Sequence, residues 1–168
     1  MPSADVVLDT DVLAEVIGQY FGRAERGRAP FEAGGCLSGE RARRLNSIRM
    51  WAEGGEAVGP LAIASALAFV EMVREWEDIV RGRFETYQLA AFLEQPPEWF
   101  SVAPVDEDLV EFFCRVPAHV VTPGGDTAPI EWTDAVHVAT LLSRDPNCLL
   151  ATNDRPMTSI PLLDGRLL

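Results

Sequence analysis

The chain has 168 residues and a formal charge of −12, from 26 acidic residues against 14 basic ones, every one of them arginine. That length suits one domain with one hydrophobic core, and 48% hydrophobic residues with a mean hydropathy of +0.05 exclude general disorder. The net acidity argues against broad electrostatic adhesion to nucleic acid or anionic lipid.

In chain order, Val6-Val7-Leu8 reads as a short buried strand ending at Asp9. Val12, Leu13, Val16, Ile17 and Tyr20 then recur at helical spacing. A basic excursion follows. Between Arg23 and Arg49 seven arginines face three glutamates, a local +4 that leaves −16 for the rest. Glycines and Pro30 open it as a loop. Leu45, Ile48, Met50 and Trp51 predict a helix over residues 40–53 with an arginine face, ended by Gly54-Gly55. The excursion is either a solvated surface feature or a basic arm that offsets the acidic body near a polyanion. In the second case Arg41, Arg43 and Arg44 are candidate substrate contacts.

Leu61-Ala-Ile-Ala predicts a second strand, and Ser65 caps a long helix whose apolar positions are Leu67, Val70, Val73, Trp76 and Val80. A further helix is expected over 84–93, stopped by Pro96-Pro97, then an extended segment over 99–105 and a helix over 107–116. Residues 119–129, with Pro123, Gly124, Gly125 and Pro129, read as a loop. A helix over 133–143 and a buried strand Cys148-Leu-Leu-Ala, before Thr152-Asn153-Asp154, complete the chain. Strands alternating with helices imply right-handed crossovers. The expected class is α/β, with a mostly parallel sheet flanked by helices on both faces.

No apolar run suffices for a membrane span, since the best, over 61–70, meets Glu71. Met-Pro-Ser-Ala-Asp lacks the features of a secretory signal. Cys36, Cys114 and Cys148 form no C-x-x-C pair and read as reduced thiols, which suits a cytoplasmic setting.

Ligands of such sheets bind beyond the carboxyl ends of the strands, at a switch point in strand order. Asp9 and Asp154 stand at such ends; Glu71 falls inside the long helix, and Asp134 in the first turn of the helix starting at Thr133. Converging carboxylates repel one another unless a cation neutralises them. Oxygen donors without a histidine cluster suit a hard ion, Mg²⁺ or Mn²⁺, rather than zinc. Taken singly, each acid has a plainer role. Asp9 and Asp154 suit turns or helix caps, Asp134 a helix dipole, and Glu71 the surface beside Glu75 and Glu77. His137 reads as a packed or hydrogen-bonded histidine rather than a general base, and Trp132 and Met157 as core or rim.

Together, Val-Val-Leu-Asp9-Thr10-Asp11-Val-Leu, Thr133-Asp134-Ala-Val-His137-Val-Ala-Thr and Leu-Leu-Ala-Thr152-Asn153-Asp154-Arg155 resemble the motifs of PIN-domain ribonucleases. The likeness is closest to VapC-like toxins of bacterial toxin–antitoxin pairs. It covers both ends of the chain and, in the middle, Ser65 to Glu71. The two C-terminal motifs, 20 residues apart, are its specific part. The resemblance implies a three-layer PIN-like domain over 1–168, with an arginine-rich loop/helix insertion at about 22–58. It also implies a Mg²⁺ or Mn²⁺ site made by Asp9, Glu71, Asp134 and Asp154, supported by Thr10, Thr152 and Asn153. The implied activity is endonucleolytic hydrolysis of single-stranded RNA, and the implied partners are a cognate antitoxin and a second copy in a homodimer. Asp11 departs from the asparagine or serine common in the family, and the basic excursion lengthens the stretch between Asp9 and Glu71.

Asp9-Thr-Asp11-Val-Leu also resembles the opening of haloacid-dehalogenase-like phosphatases, where the first aspartate attacks phosphorus and the second is acid/base. That family needs a downstream lysine, or less often arginine, and a late acidic pair. Here lysine is absent, and Thr158 and Ser159 follow Asp154 where the second acid belongs. A third class is a PIN-like binding module without turnover.

Overall fold

Val6, Val7 and Leu8 expose no surface at all, as a strand covered on both faces requires. The computed structural model describes residues 4–24, 39, 41, 43–45, 47–48 and 59–168. The sheet is built from β1 (Val6–Leu8), β2 (Ala62–Ser65), β3 (Phe100–Ala103) and β6 (Leu149–Ala151). All four are parallel, in the order β3-β2-β1-β6. Val7 lies beside Ile63 on one flank and Leu150 on the other. Side chains alternate along each strand. Val6, Leu8, Ala62 and Ala64 therefore enter one core, while Val7, Ile63 and Leu150 enter a second on the opposite face.

The first face is covered by α1 (Thr10–Ala24), through Val12, Leu13, Val16 and Ile17, and by α4 (Thr86–Glu94), through Leu89 and Phe92. Glu85 and Gln88 form a capping box that starts α4. Residues 41, 43–45 and 47–48 are helical, and Leu45 and Ile48 bury completely in the same core. This agrees with the expected helix over 40–53 where it is described. Met50, Trp51, Gly54-Gly55, Cys36, Arg26, Arg28, Arg49 and the side chain of Arg23 lie outside the described residues. The second face is covered by α6 (Trp132–Leu142), with α5 (Asp108–Phe113) packed on it through Leu109, Val136 and Ala139. After α7 (Arg155–Thr158) and a 3₁₀ turn at Pro161–Leu163, the tail lies against β6. Leu150 N donates to Arg166 O at 2.7 Å and Leu168 N to Leu150 O at 2.9 Å, so the edge of β6 is covered. No helix among the described residues is long and apolar enough to cross a membrane.

Two expectations are corrected. The long helix after Ser65 is two helices, α2 (Ala66–Arg74) and α3 (Trp76–Ile79), broken at Glu75 where φ is −115° and ψ 42°. Ser65 does cap it, accepting from Leu67 N at 3.1 Å. Its buried face is Ala68, Phe69 and Met72, whereas Val70 and Val73 are 61% and 62% exposed. The helix leaves β2 without a linker, so the direction of that strand sets which side meets the sheet, and Phe69 packs edge-on to Phe100. The second correction concerns residues 119–129, which form a hairpin of β4 (His119–Val121) and β5 (Thr127–Pro129). Thr122 N donates to Asp126 O and Gly125 N to Thr122 O, at 2.9 and 2.8 Å. Gly125 takes a φ of 87°, which a side chain would disfavour. The turn residues that read as a loop are the turn of this hairpin, and Val120 alone points inward.

The absence of lysine has a local reading in how the arginines bond. Arg166 donates from Nε to Cys148 O at 3.1 Å and from Nη2 to Leu141 O and Asp145 O at 3.1 and 3.0 Å. It thereby ties the end of α6 to the start of β6. Arg83 similarly joins Ile79 O at 2.9 Å and Glu15 Oε2 at 3.2 Å. A planar fork with several N–H groups reaches such divergent acceptors, whereas an ammonium on a flexible stem does not hold them together. Arg166→Lys is therefore expected to lower the unfolding free energy by about 1–3 kcal/mol, read as a lower urea midpoint at unchanged m, as two of three hydrogen bonds are lost. A midpoint equal to that of the parent chain would remove this role for Arg166.

Candidate functional site

From β1 the chain steps outward through β2 to β3 on one side, and places β6 on the other side of β1. The order thus reverses between β1 and β6, and the segments leaving these strands diverge to open a crevice. Asp9 directly follows β1, and Asp154 lies three residues beyond β6. Both cap helices: Asp9 Oδ1 accepts from Val12 N at 2.8 Å, opening α1, and Asp154 Oδ1 accepts from Met157 N at 2.7 Å, opening α7. Capping takes one oxygen of each carboxylate, so it does not compete with a place in the site. Asp9 Oδ2 accepts from Asn153 N at 3.3 Å, which links the two strand ends. Thr152 Oγ1 accepts from Asp154 N at 3.0 Å and shapes the loop between them.

A cavity of about 460 Å³ opens at this point. Asp9, Glu71 from α2, Asp134 from the first turn of α6, and Asp154 all line it, with Asp11, Glu75 and Glu131. Four chain-distant acids singled out in the sequence therefore share one cavity. Thr10 donates its hydroxyl proton to Glu71 Oε2 and lies 3.1 Å from His137 Nε2. With that proton committed to Glu71, the second contact requires His137 Nε2 to donate to the Thr10 oxygen. His137 Nε2 is also 3.6 Å from Glu71 Oε2. His137 is buried, consistent with a hydrogen-bonded histidine.

The acids are not electrostatically equivalent. Burial first, and then the neighbouring Asp154 carboxylate, push Asp134 up to about 7. Burial raises Asp9 as well, against the opposing hydrogen bonds from Thr152 and Val12. For Glu71, burial acts upward, but bonding to His137 and Thr10, with a further contribution from Thr133, holds the carboxyl below its ordinary value. Among the described residues Asp134 accepts no hydrogen bond, so its charge is offset only through space.

Of the three arginines proposed as substrate contacts, Arg41 is the one beside the site. It donates to Asn153 Oδ1, the Thr152 carbonyl and, at 3.1 Å, the Leu168 carbonyl, and its charge acts on Asp9. Arg44 donates to Ala4 O at 3.3 Å, and exposed Arg43 to Gly39 O at 3.2 Å. Glu131 and the Thr133 hydroxyl carry no signal of their own in the sequence, and Glu75 is exposed as expected while also lining the cavity. Glu131 is the residue before the first turn of α6, a position where acids are common for dipole reasons alone.

The donor set is all oxygen, which fits a hard divalent ion. Among the described residues no three His, Cys, Asp or Glu side chains stand grouped as a ready-made cage. Mutual repulsion between carboxylates lacking a counter-charge opposes such a grouping. No family model, curated protein or solved structure matches the chain.

Asp134 sets a pH dependence. Its ordinary value is 3.8, so between about pH 4 and 7 the folded chain keeps a proton that the unfolded chain releases. Its contribution to stability is complete below that window, falls as pH rises through it, and is lowest above about 7. Thermal unfolding without divalent cations should therefore give a Tm that declines from pH 5 to pH 8, with Asp134→Asn showing a shallower decline. Identical slopes for the two chains would refute the assignment.

Proposed function

We propose that the chain is a divalent-metal-dependent endoribonuclease with a PIN-like fold, similar in kind to the VapC-like toxins. One observation carries this reading: Asp9, Glu71, Asp134 and Asp154, from four separate segments, line one cavity at the strand-order reversal. Capping alone accounts for Asp9 and Asp154, but not for the presence of Glu71 and Asp134 opposite them. Burial first, and then the Asp154 and Glu71 carboxylates, raise Asp134, and a cation in the cleft would offset the repulsive part of that rise.

A hard divalent ion held by these carboxylates supplies Lewis-acid stabilisation of charge on a phosphodiester and a more acidic water. The chain's own residues provide the frame. Backbone donors from Val12, Asn153 and Met157 orient Asp9 and Asp154. Thr10 and His137 orient Glu71 and keep it ionised. Asp134 holds a proton up to about pH 7, so a cation in the cleft would favour its ionisation. A single strand suits this acidic cleft better than a duplex, because it presents phosphates one at a time at lower charge density. The phosphatase alternative needs a downstream lysine, or less often arginine, and a late acidic pair, whereas lysine is absent and Thr158 and Ser159 stand where the second acid belongs.

Purified protein should cleave single-stranded RNA in Mg²⁺ or Mn²⁺ and lose the activity in EDTA. Asp134→Ala should reduce cleavage by more than about 100-fold, beyond the loss typical of removing an outer partner of a metal ligand. Cleavage that persists in EDTA or in the variant would overturn the metal-nuclease reading. Rapid hydrolysis of a generic phosphomonoester, abolished in Asp9→Asn, would replace it with the phosphatase.

A further inference from the structure

Beside the acidic cleft lies a smaller groove of about 240 Å³. Leu67 and Val70 of α2 form one wall, Trp132 at the start of α6 forms the other, and Arg74 also lines it. Glu71, Glu75 and Glu131 belong to both cavities, so cleft and groove make one continuous surface. Trp132 is 59% exposed, and the cores on both faces of the sheet are complete without it. Among the described residues its ring packs on no other ring, and Arg74 makes no hydrogen bond or ion pair. An indole so placed leaves a large apolar area in water with no folding role to offset it.

We propose that Trp132 is a stacking platform for a nucleobase next to the scissile phosphate of single-stranded RNA, with Arg74 reaching an adjoining phosphate. The proposal rests on the ribonuclease reading above and adds to it where the substrate's bases go. Base–aromatic stacking suits this position because every base has a π-face, so it requires no particular sequence. The charges around the groove point the same way. Glu75 and Glu131, which lie outside the proposed ion-holding set, disfavour a phosphate on the indole itself, while a neutral base, whose exocyclic amines are donors, is accepted there. A strand lying across both cavities sets its phosphates toward the carboxylate site and Arg74, and a base toward Trp132.

The test uses fluorescent single-stranded oligoribonucleotides in which one abasic nucleotide is walked along the strand. Binding is read by anisotropy in Mg²⁺, in an Asp134→Asn background so that cleavage does not consume the probe. With Trp132 present, one abasic position should weaken binding about 10-fold. In Trp132→Ala the intact probe should bind about 10-fold more weakly and that position-specific penalty should vanish, whereas Trp132→Phe should restore most of it. A merely structural role for Trp132 does not produce a penalty confined to one nucleotide. Arg74→Ala should weaken every probe alike and reduce the salt dependence. An abasic penalty that survives in Trp132→Ala would overturn the platform, and if wild-type protein still cleaves RNA the ribonuclease reading stands without it. Failure of wild-type protein both to bind and to cleave RNA would overturn both. Unchanged RNA affinity, with a dimer in sedimentation that Trp132→Ala converts to monomer, would overturn the proposal in favour of a protein-covered groove.

Discussion

The carboxylate of Asp9 joins three parts of the molecule. One oxygen receives Val12 N and starts α1, the other receives Asn153 N and holds the end of β6 beside the end of β1, and the charge is felt by Arg41. A buried carboxylate without such donors is costly, so these bonds are the condition for having an acid at this depth. The cap from Val12 N is local, whereas the bond from Asn153 N exists only because β6 lies next to β1. The same start of α1 delivers the Thr10 hydroxyl to Glu71 and His137. Strand order, helix capping and the geometry of the acids are thus one constraint seen at three scales.

Within that frame the acids are pushed in opposite directions. Glu71 receives hydrogen bonds that favour its ionised form, while burial, and then the Asp154 carboxylate, keep the proton on Asp134 up to about 7. Separation of neighbouring pKa values in one cleft is a recurring mark of sites that handle charge. It also changes the meaning of the net −12. Acids drawn together in one cleft make part of that charge a local feature, and a bound cation would invert the field there. The compensating arginines act at close range through multidentate bonds to backbone carbonyls, as Arg41 and Arg166 do, more than through diffuse attraction.

The outward turn of α2 has consequences for the same region. Because Phe69 and Met72 take the inward positions, Val70 faces solvent beside Trp132, in a groove that shares Glu71, Glu75 and Glu131 with the acidic cleft. Glu75, one turn on from Glu71 and still bonded to Glu71 O at 2.9 Å, lines both cavities as Glu71 does, and the next helix starts directly after it at Trp76.

Much of this was legible in the sequence where the signal is local. Val6-Val7-Leu8 and Cys148-Leu-Leu-Ala announce buried strands, the spacing in α1 and α6 announces helices, and the motifs mark Asp9, Asp134 and Asp154 by their positions at strand ends and in a first helical turn. Even the support from Thr10 and Thr152 follows from sequence adjacency. Periodicity states which residues an element can bury, not what it will be buried against. That is why Val70 and Val73 read as core, and why the Pro- and Gly-rich segment hid the inward Val120 of a hairpin. The contacts of Thr10 with Glu71 and His137, and of Arg41 with the Thr152 carbonyl, span 61 to 127 positions of chain, and the shift of Asp134 depends on its burial and on Asp154. The sequence by itself determined the chemical inventory and the ends of the elements that carry it, because those are encoded by neighbours along the chain. Only the tertiary structure decided which acids meet, which keep a proton and which apolar side chains remain in water, because electrostatic and packing energies are set through space.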